Sequence, residues 1–134
     1  MQRLSLVVVE ADGGIVFTHP GSSSADADAS LPSGNVRDDE SPEQAAERLV
    51  REQTGLSVEV TERLIEFQQE GTPFGTAVMT GFVARVSGGE LREGDEGPPT
   101  VHAVDDLPTI IPVRVANQRV LAVYLASRRA PKEE

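Results

Sequence analysis

GNVRDDESPEQAAERLVREQTGL, residues 34–56, carries the strongest structural signal in the chain. Gly34 opens a tight loop. Ser41-Pro42-Glu43-Gln44 then has the chemistry of a helix start. Ser41 suits the N-cap, Pro42 the first helical position, and Gln44 falls where a capping box needs a side-chain acceptor. Glu40 and Glu43 complement the positive end of the helix dipole. The pattern predicts a helix from Pro42 to about Thr54, with Ala45, Ala46, Leu49 and Val50 as its apolar stripe and Gly55 as its stop.

Outward from this helix, strands dominate. Residues 3–9 (RLSLVVV) are near-continuously apolar, as in a strand buried on both faces. Asp12-Gly13-Gly14 signals a turn and Ile15-Val16-Phe17 a second strand, so the start reads as a hairpin. Residues 18–33 read as a long loop. Within it His19 reads as an exposed turn histidine. Asp26 and Asp28 read first as solvated carboxylates and second as cation ligands, because a cation site needs several converging oxygens. Residues 57–69 alternate through Val58, Val60, Leu64 and Phe67, as a strand does. Gly71-Thr72-Pro73 breaks the chain before a strand over 74–86. Ser87-Gly88-Gly89 reads as a turn, 90–99 as an acidic loop and 100–104 as a short last strand. Residues 112–128 read as a helix with Val113, Ala116, Val120, Leu121, Tyr124 and Leu125 on its apolar face. The expected architecture is α+β: one domain over 1–134, a mixed sheet between helices, and a polar tail at 131–134.

Composition narrows the function. The 134 residues include no cysteine, which excludes a disulfide framework, a thiolate nucleophile and a thiolate metal site. The net charge of −10 opposes a nucleic-acid partner, and the basic residues are scattered. The apolar run near the start is too short for a signal peptide or a membrane span, so a cytoplasmic protein is expected.

Residues 34–56 also resemble the motif of the Nudix (MutT-like) hydrolase family, G-x5-E-x7-R-E-U-x-E-E-x-G-U, where U is a bulky aliphatic. Gly34, Glu40, Arg48, Val50, Glu52, Gly55 and Leu56 fall in register without a gap. Leu31-Pro32-Ser33-Gly34 resembles the family's Leu-Pro-Gly-Gly. The departures are Leu49 and Gln53, where the family has glutamates, and Ser33, where it has glycine. The resemblance implies an α/β/α sandwich and a metal-dependent hydrolase of nucleoside diphosphates linked to another moiety, with Mg²⁺ or Mn²⁺ as cofactor.

The resemblance also assigns roles. Gly34, Glu40, Arg48, Gly55 and Leu56 become structural, with Arg48 pairing to Glu40. Glu52 becomes the catalytic carboxylate, and Glu52, Gln53, Ser33 and Glu96 the metal-facing set. At 3.6 residues per turn, positions 49, 52 and 53 share one helix face, and only position 52 keeps a carboxylate there. Hard cations need anionic oxygens, so activity is expected to be weakened or lost. The alternative is a non-catalytic Nudix-fold module for a ligand or protein partner. Relocated ligands would have to come from Glu90, Glu93, Asp95 or Glu96, or from Asp38 and Asp39; each reads first as a solvating charge. Glu47 is expected to pair with Arg51 at i+4. The family's substrate-side arginines and aromatic correspond to Thr18-His19 and Ala29-Ser30. Phe67, Phe74, Phe82 and Tyr124 read as core. A homodimer is a further expectation, since family members often pair.

Overall fold

The elements run β1 (Gln2–Ala11), β2 (Gly14–Phe17), β3 (Ser33–Asn35), α1 (Pro42–Thr54), β4 (Leu56–Thr72), β5 (Gly75–Gly89), β6 (Thr100–Ala103) and α2 (Val115–Arg129). The computed structural model describes residues 2–11, 13–18, 31–72, 75–92, 99–103 and 115–129. His19, Asp26, Asp28, Phe74, Val113 and residues 93–98, with Glu93, Asp95 and Glu96, lie outside them.

β1 is the centre. Val7, Val8 and Val9 are wholly buried, because helices cover both faces of the sheet. Leu6 and Val8 join Ile15, Phe17, Leu31 and Met79 beneath Val120, Leu121 and Tyr124 of α2. Val7 and Val9 face the other way, onto Val16, Phe82 and Ala46 and Val50 of α1. Alternation along one strand thus builds two cores, and the result is the expected α/β/α sandwich. Burying a valine such as Val50 contributes roughly 1.5–3 kcal/mol.

The sheet order is β4-β5-β1-β2-β6, with β3 also on β1. β1 and β5 are parallel and the other pairs antiparallel, so the sheet is mixed. The β1–β2 hairpin forms as expected, with Gly13 at positive φ in its turn.

Three local expectations are corrected. Residues 33–35 are a short strand rather than loop: Ser33, Gly34 and Asn35 pair with Leu6, Ser5 and Leu4. This pairing seats the motif loop against the central strand. Ser87-Gly88-Gly89 continues β5, with Gly88 opposite Ser57 and Gly89 opposite Leu56. The glycines permit this by letting the strand end pass close to Gly55, where a side chain on Gly89 would collide with backbone. β4 runs as one strand, but register shifts between Val60 and Glu62 and between Arg63 and Ile65 rephase it. Val60 therefore packs on the α1 side while Leu64 and Phe67 pack on the α2 side. α2 covers Val115–Arg129, and residues 112–114 of the expected helix lie outside the described residues.

The α1 boundaries agree with the sequence. Ser41 Oγ accepts from the Gln44 N–H at 3.1 Å, and the Ser41 N–H donates to Gln44 Oε1 at 2.9 Å. This reciprocal cap contributes about 1 kcal/mol. Gly55 closes the helix at φ 83, donating its N–H to Arg51 O at 3.0 Å.

Candidate functional site

α1 and the loop before it meet along two seams. The first is ionic. Arg48 Nη2 donates to Glu40 Oε1 at 2.6 Å and to the Asn35 carbonyl at 2.9 Å, and Arg48 Nε donates to Glu40 Oε2 at 3.1 Å. The Arg37 N–H also donates to Glu40 Oε1 at 3.0 Å. Glu40 and Arg48 are largely covered, at 12 % and 19 % side-chain exposure. The Arg48 hydrogen bonds, helped by the Arg37 backbone, outweigh desolvation and hold the Glu40 carboxyl down at about 2. The same pairing raises Arg48 above the ordinary arginine range.

The second seam is neutral. Leu49 is 5 % exposed and lies over Gly34, where a Cβ would meet Leu49 Cδ2 at 2.7 Å. Gln53, 7 % exposed, grips Ser33 at both ends. Its Nε2 donates to the Ser33 carbonyl at 2.9 Å, and its Oε1 accepts from the Ser33 N–H at 3.3 Å. The Ser33 backbone fixes the orientation of the amide, since a carbonyl needs a donor and an N–H needs an acceptor.

Glu52 separates from these two. Leu49 and Gln53 turn inward, while Glu52 stays 43 % exposed at the rim. It accepts from Arg48 Nη1 at 3.2 Å, and Arg37 Nη2 stands 4.0 Å from its other oxygen. The three positions that share a helix face by spacing are therefore split by burial.

Of the expected metal-facing set, Glu52, Gln53 and Ser33 are described and Glu96 is not. Leu49 has no donor atom. Both polar atoms of Gln53 are engaged with Ser33, and so is the Ser33 carbonyl. Glu52 is paired with arginine. A hard divalent cation takes several oxygens, preferably anionic ones, and this arrangement does not fit it. Among the described residues no group of three or more His, Asp or Glu is placed to hold a metal. Glu90 is exposed. The strand end beyond it is fastened to α1 by the Arg92 N–H donating to the Thr54 carbonyl at 2.9 Å. Asp38 and Asp39 are exposed in the turn before α1.

Several partners were not legible in the sequence. Glu47 does not pair with Arg51; its Oε2 accepts from the Val60 N–H at 3.3 Å, beside the β4 register shift. Arg51 donates instead to Ser57 Oγ at 3.3 Å. The Asn35 carbonyl, the Ser33 backbone and Arg37 are backbone or long-range partners that leave no mark in spacing. Phe82 is core as expected, with Arg63 stacked 5.5 Å from its ring centroid. Phe67 is half-buried beneath Arg119 at 4.5 Å. The Tyr124 hydroxyl donates to Glu10 Oε2 at 2.7 Å.

A family model described as NUDIX domain matches residues 2–124. Among solved structures, a NUDIX hydrolase from Nitrosomonas europaea superposes with TM-score 0.78 at 20 % identity, covering 98 % of this chain and 93 % of that one. An ADP-ribose pyrophosphatase from Streptococcus suis gives TM-score 0.71 at 21 % identity, covering 99 % and 96 %. A UDP-X diphosphatase gives TM-score 0.73 at 20 % identity, covering 95 % of this chain and 64 % of that one. No curated protein matches.

Proposed function

The chain belongs to the Nudix family, and from that premise we propose that it engages nucleoside diphosphates linked to another moiety, with hydrolysis weakened or lost. The ligand class is supported by the family and by the ADP-ribose and UDP-X named for two structural neighbours. The loss is carried by one observation: Leu49 and Gln53 turn inward and bind the loop, on Gly34 and Ser33. Two positions that would supply carboxylates supply packing and an amide instead. Residual catalysis would rest on Glu52, the motif carboxylate still at the surface. A carboxylate such as Glu96 would have to complete any cation site. The family match over residues 2–124 supports a single domain, and cytoplasmic location and homodimerisation remain part of the proposal.

Incubation with a panel that includes ADP-ribose and UDP-sugars, with Mn²⁺ present, tests this. Wild-type turnover should be absent, or slow and lost in Glu52→Gln, while ligand binding should survive in both. Rapid turnover that vanishes in Glu52→Gln would overturn the proposal and restore a working hydrolase.

A further inference from the structure

We propose that the Gln53 carboxamide replaces a cation as the bridge between α1 and the loop at Ser33, making the closed motif independent of divalent ions. This deepens the reading above and rests on it, but its test does not read turnover. The amide and the Ser33 backbone form a reciprocal pair, with Nε2 2.9 Å from the carbonyl and Oε1 3.3 Å from the N–H. A carboxylate at position 53 could keep the second bond. Its other oxygen would then face the Ser33 carbonyl across the span that Nε2 now fills, acceptor against acceptor, with no proton between them.

Such a pair is relieved by a cation. Oxygen ligands about 2.0–2.1 Å from Mg²⁺ in an octahedron sit about 2.9 Å from their neighbours. The amide therefore spans the distance a shared cation would set. Gln53 is 7 % exposed, and Leu49 packs over Gly34, the neighbour of Ser33. Where water is scarce a satisfied hydrogen-bond pair is stronger and an unsatisfied one is costlier. Gln53 supplies the donor that the Ser33 carbonyl needs.

Thermal unfolding of three proteins, each in EDTA and in millimolar Mg²⁺ or Mn²⁺, tests the proposal. Wild-type Tm should be the same in all conditions. Gln53→Glu should melt about 5–10 °C lower in EDTA. Mg²⁺ or Mn²⁺ should restore part of the loss, and potassium chloride at matched ionic strength should not. Gln53→Met, with no donor or acceptor pair, should melt lower and ignore the cations. A saturable rise in wild-type Tm with either cation would overturn the proposal. So would Gln53→Glu that matches wild type in EDTA, or that is not rescued. Should Gln53→Glu fail to fold, Mn²⁺ titration of wild type followed by NMR decides. The Gln53 side-chain amide and the Ser33 N–H should keep their line widths, and selective broadening of either overturns the proposal.

Discussion

The two seams between α1 and its loop hold the same pieces together with opposite chemistry. At Arg48 the join is ionic: one guanidinium bonds Glu40, the Asn35 carbonyl and Glu52. Leu49, next to Arg48 in sequence, and Gln53, one turn beyond Leu49, join the same loop with a methyl group and an amide. The ionic seam is built from charged side chains, Glu40 and Arg48, and the neutral seam from Leu49 and Gln53. Ionic and neutral contacts can serve side by side because both hold the loop in one place. The difference shows in burial: Glu52 sits at the rim and Glu40 with Arg48 in a hydrogen-bonded pair, while Leu49 and Gln53 sit inside.

The ionic seam should be the costlier to cut. Arg48→Ala takes the guanidinium from the largely covered Glu40 and leaves it the Arg37 N–H, and should destabilise the fold by about 3 kcal/mol in urea unfolding. It should also remove an acid dependence. Glu40 titrates at about 2 in the folded protein, below the ordinary 4.5. The unfolded chain therefore takes up that proton first as pH falls. The contribution of the pair is complete above about pH 4.5 and drains away as pH falls toward 2, at most about 3 kcal/mol in all. Wild type should lose stability across that window, and Arg48→Ala should lose markedly less. Equal slopes would break the comparison.

The neutral seam comes next. Leu49→Ala should cost about 2–3 kcal/mol, read from the same unfolding curves, because the side chain is buried over Gly34 of the loop. A cost below about 0.5 kcal/mol would mean that Leu49 is a bystander rather than a join. The smallest effect belongs to Glu52. Its ion pairs are half-exposed, so Glu52→Ala should shift stability by no more than about 0.5 kcal/mol. A loss of several times that would place Glu52 in the scaffold and erase the contrast between rim and seam.

How much of this was legible follows from the range of the interactions. The α1 helix was readable because its signals are local: Ser41 and Gln44 are three residues apart, and Gly55 must adopt a left-handed turn. The two-sided burial of β1 was readable in its unbroken run of valines. Leu49 was readable twice, as a member of the apolar stripe and as a departure from the motif, and the stripe describes its packing. Gln53 was not readable as a clamp, because its partner is the backbone of Ser33, twenty residues away. A backbone partner has no sequence identity. The β4 register shifts were hidden for a similar reason. Val60 and Leu64 look like one alternating face, and only pairing with β5 shows where the phase slips. The loop carboxylates Glu93, Asp95 and Glu96 lie outside the described residues.

Calorimetric titration of Mn²⁺ into wild type and into the double variant Leu49→Glu with Gln53→Glu reads the central claim most directly. No saturable heat from wild type, with a binding isotherm appearing in the double variant, is the predicted result. Tight, stoichiometric Mn²⁺ binding by wild type would contradict it.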